Sequence, residues 1–129
     1  MATIDVCLSP ELLPLYHLEG KLVIVVDILR ATSCMVTAIA HGVDHIIPFD
    51  NLEQCAAMKT QGYLTAAERD GKQVEGFDFG NSPYSFMDFE LEGKKIAVTT
   101  TNGTACIKKS EGAQEIGIGS FLNLRAVAA

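Results

Sequence analysis

The chain has 129 residues, 48% of them hydrophobic and 20% charged, with a mean hydropathy of +0.22. That is enough for one domain with a real core, and it excludes a disordered chain. A net charge of −6 and a pI near 4.9 exclude general binding to a nucleic-acid backbone, which needs clustered Lys and Arg. No apolar run approaches the roughly 20 residues that span a bilayer, and the start Met-Ala-Thr-Ile-Asp-Val carries no secretory signal. A cytoplasmic chain with no membrane and no nucleic-acid partner is expected.

In chain order, Thr3–Leu8 predicts a short strand at a sheet edge. Leu22–Val26 is β-branched and continuously apolar, as expected of a strand buried on both faces. Thr32 or Ser33 can cap the following helix, whose apolar stripe is Met35, Val36, Ile39 and Ala40 and whose stop is Gly42. His45–Phe49 predicts a strand. Asp50 with Glu53 forms a capping-box pattern for a helix through Leu52, Cys55, Ala56 and Met58, ended by Gly62. Tyr63–Ala67 is the next strand. From Glu68 to Glu92 the pattern breaks into a glycine-rich stretch, with one short helix expected at Pro83–Phe89 behind Ser82. Strand Lys95–Thr99, helix Gly103–Ser110, strand Glu115–Gly119 and a helix starting near Leu122 complete the series. Alternating strands and helices predict an α/β fold, a mostly parallel sheet with helices on both faces in three layers, as a single domain over residues 1–129. The final helix opens without cap or stop, so the domain reads as the N-terminal part of a longer chain, or as one completed by a partner copy.

Cys7, Cys34, Cys55 and Cys106 form no C-x-x-C pair and have no His at zinc-ligand spacing. Reduced thiols are expected, buried for Cys34, Cys55 and Cys106.

Four polar clusters each follow an apolar run: Asp27–Thr32, Glu68–Gly71, Thr99–Thr104 and Gly119-Ser120. In an open parallel sheet the carboxyl ends of the strands form one rim where ligands bind, so these clusters are expected to converge. Asp27, rigidly held at a strand end beside Arg30, is a candidate catalytic residue and metal ligand. Glu68 and Asp78 are candidates to join it around Mg²⁺, with Glu68 also placed in the catalytic set. The planar forks of Arg30 and Arg69 suit bidentate pairing with an oxyanion. Thr100, Thr101, Asn102 and Gly103 offer hydroxyls and helix-start amides to an anion. The G-x-x-x-x-G-K-[ST] phosphate loop is absent, and Leu29 stands where the haloacid-dehalogenase signature has its second Asp.

Val26–Ser33, Ala67-Glu68-Arg69, Glu75–Pro83, Thr99–Thr104 and Gly119–Asn123, in this order, resemble the Mg²⁺-dependent 2-phosphosulfolactate phosphatases of coenzyme M biosynthesis. The resemblance implies an α/β fold, a divalent metal and hydrolysis of a phosphomonoester on a sulfonated hydroxy acid. Asn81, Ser82 and Ser120 then join the substrate-binding candidates. Members of the family continue well past the Gly-Ser-Phe-Leu-Asn motif. The expected function is a Mg²⁺-dependent phosphatase acting on 2-phospho-3-sulfolactate or a similar small phosphorylated acid, with water or Asp27 as the nucleophile. The alternatives are a non-catalytic module that binds a small phosphorylated or sulfonated acid, and a structural half-domain.

Overall fold

The structure, a computed structural model, describes residues 2–87 and 89–129. Its strands are β1 (Leu22–Val26), β2 (His45–Pro48), β3 (Leu64–Arg69), β4 (Lys72–Gln73), β5 (Lys95–Thr99) and β6 (Glu115–Gly119). The α-helices are α1 (Ala31–Ala40), α2 (Leu52–Ala57), α3 (Gly103–Lys109) and α4 (Leu124–Ala128), with single 3₁₀ turns between several elements. Parallel strands flanked by helices bear out the α/β class, but the strands divide between two sheets. One has the order β2-β5-β3-β4, parallel except for the β3–β4 hairpin, and the other is the parallel pair β1–β6.

The core lies between the larger sheet and α1. Cys34, Met35 and Ala38 of α1 pack on Ala66, Ile96 and Val98, with Val43, Phe86 and Leu91 closing the margins. The alternate side chains Thr65, Ala67 and Ala97 are fully buried too, because α2 packs against β3 and β5. The larger sheet therefore has helices on both faces, as its continuous apolar strands require. The pair β1–β6 lies across α1 and α3, with Val25 and Ile118 turned toward them.

Several local expectations are corrected. Residues 2–8 form no strand, and β1 is not buried on both faces: Leu22, Ile24 and Val26 stay exposed. Helix α1 begins at Ala31, and neither Thr32 nor Ser33 caps it. Thr32 Oγ1 instead accepts the Asp27 N–H, and the Ser33 hydroxyl donates to the Ile28 carbonyl. The cap of α2 is Asn51, which accepts from the Gln54 N–H, rather than the Asp50/Glu53 pair. The last helix does have an N-terminal device: Ser120 and Asn123 form a capping box on the 3₁₀ turn Phe121–Asn123 that leads into α4. The helix expected at Pro83–Phe89 is a 3₁₀ turn at Pro83–Phe86 followed by another at Phe89–Leu91, while Asp88 lies outside the described residues. All four cysteines are free; Cys34 and Cys55 are buried, whereas Cys7 and Cys106 are half-buried.

The stretch after Glu68 is more ordered than its composition suggests. Asp70 (φ 53°) and Gly71 (φ 77°) make a two-residue turn between β3 and β4, the left-handed pair that an Asp-Gly sequence favours. Further on, the chain returns to β3. Asp78 accepts from the N–H and the hydroxyl of Thr65 at 2.8 and 3.0 Å and meets Lys59 Nζ at 3.4 Å. Burial pushes its carboxyl up, but these donors and the Lys59 charge outweigh it and leave it below its ordinary range. Asp78→Ala should therefore cost about 1–3 kcal/mol, read as a lower midpoint in thermal or urea unfolding. An unchanged midpoint would show that the Thr65 contacts do not hold the loop.

Candidate active site

The rim expected from the sequence forms where the two sheets meet. Parallel pairing of Val26 with Gly119 sets Asp27 beside Ser120, and pairing of Ala67 with Thr99 sets Glu68 beside Thr100. Gly103 joins the two halves. A β-carbon there would stand 2.4 Å from the Ala31 Cβ, 3.2 Å from Asp27 Oδ2 and 3.4 Å from Thr100 Oγ1. Only glycine lets the start of α3 press this closely on the start of α1.

Asp27 stands between those helix starts. Its Oδ2 accepts the Ala31 N–H at 3.3 Å, while its own N–H and carbonyl are held by the side chain and N–H of Thr32. The second carboxylate oxygen accepts no protein hydrogen bond among the described residues, so this half-buried group is oriented yet available. Behind it, burial pushes the Cys34 thiol up to about 12, an effect that Arg30 partly offsets. That cysteine is therefore a neutral packing group rather than a nucleophile.

Arg30 reaches across to the β3–β4 turn, donating through Nη2 to the Gly71 carbonyl at 3.3 Å. Arg69 bridges the ends of β3 and β5, donating to the Glu68 carbonyl at 2.6 Å and to Thr99 Oγ1 at 2.9 Å. Arg30 thus shares the α1 side with Asp27, and both charges reach Cys34, whereas Arg69 lies on the α2 side of the sheet, where its charge reaches Cys55.

Glu68 plays a different part from the one its sequence position suggests. Its Oε1 accepts the Gly71 N–H at 2.6 Å and the Thr101 hydroxyl at 3.1 Å, and its Oε2 accepts the Thr101 N–H at 3.2 Å. Burial raises its pKa, but those N–H and hydroxyl donors, with the Arg69 charge, prevail and hold it below the usual carboxylate range. It is a cross-brace between the hairpin and the β5–α3 loop, with both oxygens engaged.

The loop itself is built by a reciprocal pair. Thr100 Oγ1 accepts the Thr104 N–H, and Thr104 Oγ1 accepts the Thr100 N–H while donating to the Thr100 carbonyl. Thr100 and Gly103 are buried, whereas Thr101 and Asn102 face solvent, and the Asn102 side chain makes no cap bond. Ser120 is buried at the end of β6, where its hydroxyl accepts the Leu122 N–H. Asn81 is buried against Ala31, Cys34 and Phe86, behind the start of α1, and half-buried Ser82 follows it.

Asp78 is not brought to the rim. It sits with Thr65 at the opening of β3, while Glu68 lies toward the strand's carboxyl end. The expected set of three metal-binding carboxylates is not assembled: no group of three or more His, Cys, Asp or Glu able to hold a metal ion occurs among the described residues. Sequence reasoning also missed the Ala31 N–H, the Thr99 hydroxyl and the Gly71 carbonyl as partners of Asp27, Arg69 and Arg30. The Asp-Gly turn signal could have supplied the last.

A sequence profile described as 2-phosphosulpholactate phosphatase matches residues 7–129. The chain belongs to this family. It is 41% identical over 114 residues to a probable 2-phosphosulfolactate phosphatase of Thermotoga maritima, covering 88% of this chain and 50% of that protein. The protein of the same description from Clostridium acetobutylicum is 40% identical over 129 residues (97% and 54%). That from Carboxydothermus hydrogenoformans is 41% identical over 127 residues (97% and 52%). The chain spans about half the length of these curated relatives. No helix among the described residues of this family member is long and apolar enough to cross a membrane.

Two outcomes test this construction. Gly103→Ala should force the starts of α1 and α3 apart at a cost of about 1–3 kcal/mol, seen as a lower unfolding midpoint; an unshifted midpoint would deny the close approach. Glu68, like Asp78, contributes to the pH dependence of stability. Because its folded pKa is lowered, its stabilisation is complete above the unfolded value near 4.3 and is lost as pH falls through the folded one. Glu68→Gln should therefore be less stable at neutral pH and lose less stability on acidification than the parent. Parallel stability–pH curves would remove Glu68 from the brace.

Proposed function

We propose that the rim binds and hydrolyses a phosphomonoester on a small acid, 2-phospho-3-sulfolactate or a close analogue, with Mg²⁺ as cofactor. The observation that carries this reading is the convergence of Ala31, Asp27 and Thr100 at Gly103, with Arg30 reaching from the start of α1 to the β3–β4 turn. The family's relatives are described as probable 2-phosphosulfolactate phosphatases, and this chain's substrate is proposed to follow theirs.

The donor chemistry suits Mg²⁺ in a restricted way. This ion is commonly held by one or two carboxylates, several waters and the substrate's own phosphate. Asp27 supplies one oriented carboxylate with a free oxygen, and Glu68 and Asp78, their oxygens already engaged, are replaced in that role by water and phosphate. When bound, the metal supplies charge neutralisation at the phosphoryl oxygens.

The chain's own residues account for the rest. Arg30 and Arg69 clamp the phosphate and the sulfonate or carboxylate, their planar forks matching paired oxygens. Asn102 and the amides at the start of α3 donate hydrogen bonds to the remaining phosphoryl oxygens. The Thr100–Thr104 pair and Glu68 keep that loop from moving as charge develops, since fixed donors need no reorganisation during reaction. Asn81, Ser82 and Ser120 border this set and shape the end that takes the non-reacting part of the acid. Asp27 either orients water or attacks phosphorus itself.

One observation favours a second reading. With Glu68 engaged, a single free carboxylate serves the rim, which is sufficient for a module that binds a small anion without turning it over. Phosphate release from 2-phosphosulfolactate with Mg²⁺ separates the two. The parent chain should release phosphate, and Asp27→Asn, which keeps the shape but loses the charge, should reduce the rate by about a hundredfold or more. Arg30→Lys should weaken binding of the same compound in calorimetry, because charge without the fork is a poorer clamp. Binding without phosphate release would select the module, and no binding at all would reject the rim as a site.

A further inference from the structure

Carboxylates readily bond neighbouring backbone N–H groups, and Glu68 and Asp78 show it. Glu68 takes the N–H groups of Gly71 and Thr101, and Asp78 takes that of Thr65. Asp27 stands at the end of β1, beside the start of α1, yet among the described residues its carboxylate takes only the Ala31 N–H, through Oδ2. The difference lies in the side chain five residues on. Thr32 Oγ1 accepts the Asp27 N–H at 2.8 Å, and the Thr32 N–H donates to the Asp27 carbonyl at 3.1 Å.

Thr32 is fully buried in the first turn of α1, so water does not compete for its hydroxyl. Without that hydroxyl the Asp27 N–H would lack a partner in a half-buried loop, where an unmade bond is costly. The acceptor always within reach is the residue's own carboxylate, a contact that Asp side chains make. Turning toward it would occupy the oxygen that is now free, and Asp27 would become a third engaged carboxylate. The Ser33 hydroxyl donates to the Ile28 carbonyl at 2.7 Å, so the next peptide is fixed independently of Thr32.

We infer that Thr32 is a positioning residue, whose hydroxyl holds the Asp27 N–H so that the Asp27 carboxylate keeps one oxygen free for a ligand. This rests on the proposed reading of Asp27 as the ligand-facing carboxylate of the rim. Thr32 acts through Asp27 alone. Valine fills nearly the same volume but leaves the amide bare, whereas serine keeps the hydroxyl.

The test compares the Asp27 rotamer with the turnover of the full chain. Three-bond scalar couplings from the Asp27 nitrogen and carbonyl carbon to Cγ, in isotope-labelled protein, report χ1 whether or not a ligand binds. They should change in Thr32→Val and stay as in the parent in Thr32→Ser. With Mg²⁺ and 2-phosphosulfolactate, Thr32→Val should lower kcat about tenfold or more, as misplacement of a reacting group does. KM should move by less than about threefold, and Thr32→Ser should keep the parent rate. Thr37→Val removes a buried hydroxyl from the same helix, one that donates to the Ser33 carbonyl at 2.8 Å, and should change neither reading. If circular dichroism shows Thr32→Val unfolded, Thr32→Ala supplies the same comparison; failure of both to fold would make the hydroxyl a folding element and overturn the inference. Unchanged couplings would overturn it too, as would changed couplings with an unchanged rate, or a serine variant as impaired as the valine one. A parent chain that releases no phosphate would instead reject the proposed hydrolysis, and the couplings would still decide whether Thr32 orients Asp27.

Discussion

The fold and its rim depend on one close approach, that of Gly103 to Ala31. Two sheets of different composition, one fully clad and one half bare, are joined at their carboxyl ends by two helix starts in van der Waals contact. Helix starts concentrate unpaired N–H groups and partial positive charge, so bringing two together would be unfavourable without a negative group between them. Asp27 is that group, and its bond to the Ala31 N–H places it there. The carboxylate is thus part of the joint itself, whatever ligand the proposed site takes.

Much of this was legible in the sequence, for a definable reason. Apolar runs ending in polar clusters report strand ends, and parallel topology turns strand ends into a shared rim; the approach of Asp27 to Thr100 and Gly103 follows from that logic. What sequence could not separate was a carboxylate available to a ligand from one already engaged. Glu68 and Asp78 look equivalent to Asp27 in composition and context, yet each has its oxygens engaged by backbone and hydroxyl donors that come from 33 and 13 residues away. Non-local donors leave no local signature. Burial misled in the same way: the aliphatic run of β1 states only that the strand avoids water, not that this chain provides the cover.

The caps show the limits of local pattern on a smaller scale. Asp50 and Glu53 match a capping box, but Asn51 is one residue nearer the helix and caps it alone. At α1 the obvious candidates, Thr32 and Ser33, bond backward to Asp27 and Ile28. That wraps residues 27–33 into a compact loop around the Asp27 carboxylate. A hydroxyl that tightens a functional loop rather than ending a helix trades a generic contribution to stability for a fixed geometry.

The pairing of Leu22 with Glu115 has a consequence for the order in which the molecule comes into being. The larger sheet draws its strands from the middle of the chain, so it can assemble with α1 and α2 while later residues are still being made. The first strand has no partner until residues 115–119 have emerged from the ribosome. Contacts that close such long loops form slowly, since chain entropy must be lost before any interaction is gained. For that interval one of the most aliphatic segments waits unpaired, and nascent-chain surveillance or premature clumping would act on it first. The time taken to translate the segment between residues 26 and 115 would then set how long that exposure lasts.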